Sequence, residues 1–412
     1  MPKRILVCLL AAAAAIAAWQ ARLFPVLNST ALAGRQEQGF YLLPTNQLLR
    51  PWGEQTLLPG RPVDIAFDSG KRLMAVLNMR AVDVIEASTG AQVAQIRCRA
   101  TSYTGVAFRP GDREIWASET LRNGPDSLVV APIGADGKPG EVTRIPLPGH
   151  PVPAGIAFSS DGTRAYVALS RSNTLAVIDA AARKVVREVD VGIAPFAVAV
   201  CEPCGKVYVS NRGGRRPRPG DTVAPSSGSE VVTDPITGTA TTGTVSAIDL
   251  KTFAASEIET EPAASGMALS PDGKTLAVAN AHADSVSFID TGTSVATTVR
   301  IPTWPESLIG SQPDGAAFSP DGKTLYVACG GNNAIALVKR EGSRWNVEGA
   351  VPTGWFPSAI GIDAEGNLRI VNIKGVGHTA DKKGTFNSRQ YEGSIMKIPP
   401  PAPPQIAAGT RE

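Results

Sequence analysis

Short apolar runs alternate with turn residues along this chain, and the runs recur. A three-residue apolar step opens at Ile65, Val106, Ile156, Val198, Met267, Ala316 and Ile360, with successive spacings of 41, 50, 42, 69, 49 and 44 residues. Five of these steps carry proline three residues earlier, at Pro62, Pro153, Pro195, Pro313 and Pro357. A strand-built recurrence of about 40–50 residues is the period of propeller blades, not of helical solenoids. Ser270-Pro271-Asp272-Gly273 and Ser319-Pro320-Asp321-Gly322 follow their steps directly. Proline pre-sets the φ of a tight turn and glycine accepts its left-handed position, so both predict hairpin loops. Ser160-Asp161-Gly162 and Ala364-Glu365-Gly366 are weaker copies.

Second strands come next, as at 325–328 and 207–210, then third strands with period-2 alternation, as at 285–290. A shorter fourth strand, as at 185–191, leads to the next step. Four strands in each of seven units predict an all-β, seven-bladed β-propeller. The last unit supplies three strands only, at 359–362, 368–372 and 393–398. The orphan run 55–58 is expected to complete that blade and close the ring, which removes an exposed strand edge. Beyond the N-terminus no sustained helical period is found.

Composition narrows the setting. With 43% hydrophobic residues among 412, a disordered chain is excluded, and 41 Gly with 33 Pro fit a turn-rich fold. Lys3 and Arg4 precede an apolar run from Ile5 to Ala18, shorter than the roughly 20 residues of a bilayer span. Residues 1–21 are therefore expected to be a cleaved signal peptide, 22–37 a linker, 38–399 the propeller and 400–412 a Pro-rich tail. That places the mature protein in the periplasm or outside the cell, where disulfides persist. Cys201-Glu202-Pro203-Cys204 falls in a first-hairpin position. A C-x-x-C pair can be half a zinc site or a redox dithiol, but no second pair and no βαβ context accompany it, so a stapling disulfide is expected. Cys98 and Cys329 sit in or beside strands and are expected to be buried. His150, His282 and His378 show no H-x-x-H spacing, and no metal or cofactor is expected.

The 69-residue spacing holds an insertion from Asn211 to Gly243, between the second and third strands of its blade. A second insertion, 373–392, occupies the same slot of the last blade. Such loops emerge on the face of the crossovers into each innermost strand, here carrying Trp304-Pro305-Glu306 and Trp355-Phe356-Pro357. That face is the candidate binding surface. Its candidate residues are Asn211, Arg212, Gly213, Gly214, Arg215, Arg216 and Asp221, with Trp304, Trp355, Phe356, Lys374 and His378. Arginine suits bidentate capture of phosphate or carboxylate, and glycine lets backbone approach a ligand. The competing reading is a solvated loop, because Asp221, Glu230 and Asp234 offset its arginines. No charge stripe with stacking aromatics supports nucleic-acid binding. The absence of a G-x-S-x-G elbow, an H-E-x-x-H pair and a P-loop leaves no catalytic residue to name.

The stretches SPDGKTLAVAN (270–280), SVSFIDT (285–291) and SPDGKTLYVA (319–328) resemble YVTN-type β-propeller repeats of exported bacterial proteins. The segments 42–55, 210–250 and 354–378 are similar to one subgroup, in which the propeller precedes an alkaline-phosphatase-superfamily phosphoesterase domain. The resemblance spans roughly residues 38 to 399, and the chain given stops at Glu412, where that domain would begin. It implies a possible phosphoesterase partner in cis or in trans; a small anionic ligand is the other partner expected. The expected function is an exported, monomeric binding or scaffold module without catalysis of its own. The alternatives are a lactonase-like propeller hydrolase and a subunit of a redox complex.

Overall fold

The computed structural model describes residues 33–36, 39–45, 47–304, 310–377 and 391–410. Seven four-stranded antiparallel sheets are arranged as blades. Their inner strands are Asp64–Phe67, Thr101–Phe108, Pro153–Phe158, Ile193–Cys201, Ala264–Leu269, Pro313–Phe318 and Trp355–Ile362, for blades 1 to 7 in order. Each inner strand packs against the next, and that of blade 7 packs against that of blade 1. Glycines permit this approach. At Gly105, Gly155, Gly266 and Gly315 an added Cβ would meet backbone oxygen of the next blade within 2.6 Å.

Burial grades outward from the middle of each blade. The second strand of blade 1, Leu73–Asn78, is buried throughout, whereas the outer strand Lys184–Asp190 of blade 3 is mostly exposed. Apolar clusters therefore lie between blades rather than within them. One joins Leu73, Leu77 and Val84 of blade 1 to Ile115 and Val129 of blade 2. Another joins Met74 and Ile85 of blade 1 to Val371 and Ile395 of blade 7.

The hairpin loops form by the expected chemistry. Gly273 adopts φ +71° and Gly322 φ +68°. The Ser270 hydroxyl donates to Asp272 at 2.6 Å and accepts from the Thr275 N–H at 2.9 Å. Ser319 repeats both bonds with Asp321 and Thr324. Closure also follows the expected pairing: Glu54–Leu58 runs antiparallel to Gly393–Ile398, with Leu58 opposite Gly393 and Gln55 opposite Met396. A buried ion pair adds to that junction. Arg369 Nε lies 2.9 Å from Asp363, both side chains are 3% exposed, and the guanidinium also donates to the Ala87 carbonyl of blade 1.

Three features depart from the strand count. Gly34–Arg35, Tyr41–Leu42 and Leu48–Leu49 make a small extra sheet. Inside the 211–243 insertion, Val223–Ser226 pairs with Ser229–Val232. The third is helical: Pro403–Gly409 forms one short α-helix where only a Pro-rich tail was expected. Proline at its start is compatible with helix, since the missing N–H has no partner there anyway. Ile406 is buried against the outer strand Arg344–Pro352 of blade 6, and the Thr410 hydroxyl accepts from the Ala350 N–H at 3.0 Å.

Candidate functional site

The crossovers into the inner strands share a local device that shapes the channel mouth. The residue directly before the proline of the step has positive φ in Val152, Ala194, Gln312 and Phe356. In each case its N–H donates to an Asp or Asn standing directly before the third strand of the preceding blade. The acceptors are Asp126, Asn173, Asp284 and Asn333, at 2.8 to 3.0 Å. Left-handed backbone at a non-glycine residue is costly, and these side-chain acceptors hold it in place. Two of the residues so held, Gln312 and Phe356, line the central cavity.

That cavity measures about 800 Å³. Its wall contains the first residue of all seven apolar steps: Ile65, Val106, Ile156, Val198, Met267, Ala316 and Ile360. The repeat that builds the blades thus also builds an apolar ring around the channel. Nearer the crossover face the lining becomes polar and aromatic, with Arg61, Asp64, Tyr103, Phe196, Arg212, Asp314 and Phe356.

Arg212 is held from two sides. Its guanidinium lies over the Phe196 ring at 4.5 Å and reaches Asp314 of blade 6 at 3.2 Å. Burial raises the carboxyl pKa of Asp314, against the lowering influence of Arg212. Burial likewise raises that of Asp64, although its Oδ2 accepts from Thr104 Oγ1 at 2.6 Å and from the Gly105 N–H at 2.8 Å. Burial and then Arg212 lower the pKa of His282, which keeps that imidazole neutral near neutral pH.

The other expected site residues have structural partners. Asn211 is buried and donates to Thr244 and Ser246 hydroxyls at 3.0 Å. Gly213 and Gly214 answer packing rather than ligand approach: a Cβ would strike Ile193 at the first and Thr242 at the second. Arg215 forms a two-pronged pair with Asp221 at 2.6 and 2.9 Å, and that bond holds the Asp221 carboxyl well below its usual range. Arg216 is spent on the Val191 and Asn173 carbonyls and on Asp190. Of the arginine cluster, Arg212 alone lines the cavity.

Trp304 packs half-buried on the apolar cluster between blades 5 and 6. Trp355 is 6% exposed, covered by Leu43, Leu49 and Tyr391 of the chain ends. Lys374 lies over the Trp355 and Phe356 rings at 4.4 and 5.2 Å, and burial followed by Arg61 lowers its amine pKa. His378 lies outside the described residues. Cys201 and Cys204 are joined, as expected, and staple the first hairpin of blade 4. Cys98 and Cys329 are buried free thiols, each pushed up to about 12 by burial first of all. Among the described residues, no three His, Cys, Asp or Glu side chains converge as a metal site, and no helix is long and apolar enough to cross a membrane.

Several cavity residues went unnoticed in sequence: Arg61, Asp64, Tyr103, Phe196, Gln312 and Asp314. Their signal was positional. Asp64 stands one residue before an apolar step, Phe196 and Asp314 two before, and Tyr103 three before.

No protein-family profile matches the chain, and no characterised protein matches it in sequence. Solved structures do match. A chain of Kuenenia stuttgartiensis hydrazine synthase superposes with TM-score 0.61 at 19% identity, covering 77% of this chain and 93% of that one. Virginiamycin B lyase from Staphylococcus aureus gives TM-score 0.57 at 14% identity, over 84% and 99%. U3-55K gives 0.62 at 10% identity, over 84% and 98%. These likenesses agree with the propeller fold and, at such identities, carry the fold alone.

Proposed function

We propose that this protein is an exported propeller that binds a ligand in its central channel and performs no catalysis of its own. The observation that carries the reading is the apolar ring of seven step residues beneath a charged, aromatic mouth, around a cavity of about 800 Å³. A concave, mostly apolar site with a few placed polar groups is the usual form of a small-molecule site. The likeness of its repeats to exported YVTN-type propellers supports the same setting, as does the Cys201–Cys204 bond, and a phosphoesterase domain in cis or trans remains the partner that likeness implies. A hydrolase reading would have to rest on the Thr104–Asp64 hydroxyl–carboxylate contact, since the described lining holds neither histidine nor cysteine.

Ala316→Trp tests it by filling the channel. Melting temperatures are measured with a panel of small acids, amines, alcohols and sugars. At least one compound class should raise the melting temperature of the wild type and leave the variant unmoved. If no class discriminates, or if a lactone or phosphoester is turned over by the wild type and not by the variant, the reading is wrong.

A further inference from the structure

Among the described residues, much of the donor capacity at the mouth is unspent. Arg61 is exposed, and its guanidinium has no partner among the described residues. Among the described residues Arg212 makes one side-chain hydrogen bond, to Asp314, with one of the five N–H groups a guanidinium carries. The carboxylates are already engaged. Asp64 accepts from Thr104, Gly105 and its neighbour Ile65, and Asp314 accepts from Arg212. A cation arriving at this mouth would meet an Asp64 that already accepts three bonds and an Asp314 already paired with Arg212, whereas an anion would meet forked donors of Arg61 and Arg212 that have no partner among the described residues.

Arg212 is also set in position before any ligand arrives, since Phe196 supports its face and Asp314 fixes one end. A planar fork held in this way matches the two oxygens of a carboxylate. Beneath it the wall is apolar, and Tyr103 at the rim is 64% exposed with no packing role to account for it.

We infer that the channel takes an amphipathic carboxylate, with its apolar end against the ring of step residues and its acid group on Arg61 and Arg212 at the mouth. This rests on the binding-module reading and narrows it to one ligand class. The apolar end gains by leaving water, so affinity rises with chain length until the cavity is filled.

Titration calorimetry on the full chain at neutral pH tests the assignment with butanoate, hexanoate, octanoate and decanoate, and with octan-1-ol, octylammonium and octyl phosphate. Affinity should climb about fourfold per methylene along the acids. Octanoate should bind at least tenfold more tightly than the alcohol or the amine, and more tightly than the phosphate. Arg212→Gln and Arg61→Gln should each weaken octanoate at least tenfold, and Arg216→Gln should leave it unchanged. Should Arg212→Gln fail to fold, Arg61→Gln carries the test, since its guanidinium has no partner among the described residues. Equal binding of octanol and octanoate, tighter binding of the amine or the phosphate, or full affinity in Arg61→Gln overturns the assignment. If Ala316→Trp still abolishes binding of some other compound class, only the carboxylate falls. If it abolishes none, the binding module falls with it.

Discussion

Glu119 shows how a single buried charge is made tolerable. Its side chain is fully buried, which alone would raise its pKa, yet bonds from Arg144 and Arg99 take it down to about 2. A carboxyl whose folded pKa lies below its unfolded value stabilises the fold above the unfolded pKa, and that stability is lost as pH falls toward the folded one. The relevant window runs from the ordinary 4.5 down to about 2. Glu119→Gln should cost about 2 kcal/mol at neutral pH, after allowing for solvent screening of the partly exposed arginines. The difference in melting temperature between wild type and variant should close steadily across that acid window; a constant difference would contradict it. The left-handed crossover residues make the opposite kind of prediction. Ala194 holds φ +51° with its N–H bonded to Asn173, and its methyl is all that glycine would remove. Ala194→Gly should therefore stabilise the protein by about 1 kcal/mol, read as a higher denaturant midpoint.

At the scale of elements, legibility followed how local the cause was. The Ser-Pro-Asp-Gly hairpins could be read because donor, acceptor and left-handed glycine lie within six residues of one another. The Cys201–Cys204 staple was legible for the same reason. The arginine cluster was not, because its members find partners at very different ranges: Arg215 on Asp221 nearby, Arg212 on Asp314 two blades away. The short C-terminal helix was missed because a seven-residue segment shows no period, and it is held by docking Ile406 on blade 6. The staple's small loop sets its worth. With a separation of three residues, the chain-entropy account gives about 2 kcal/mol. Reduction, or Cys201→Ser with Cys204→Ser, should lower the melting temperature accordingly. Alkylation of the unreduced protein should leave these two cysteines unlabelled by mass.

For the whole molecule, seven units were visible in the spacing of the apolar steps, and the pairing of the N-terminal strand in the missing fourth strand of the last unit. The channel lining was not foreseen as a site, since a residue's direction follows from the ring rather than from its own neighbours. Ile65 and Met267, read in sequence only as openings of apolar steps, face the cavity. Deleting Gln38 to Leu58 should leave the edge of Gly393–Ile398 unpaired and uncover Trp355, so that the protein aggregates or loses its cooperative melt. An unaltered melting temperature would show that the ring does not depend on this strand.

The same pairing has a consequence in time. Synthesis delivers Glu54–Leu58 before any blade exists, while its partner Gly393–Ile398 arrives only after the six other blades. A strand that must wait for the rest of the chain is a hazard if it is sticky. This one is suited to waiting: Glu54, Thr56 and Leu57 remain exposed even in the finished ring, and Leu58 alone is buried. The last blade is thus completed by a strand made before the first, and little of that strand's apolar surface has been at risk meanwhile.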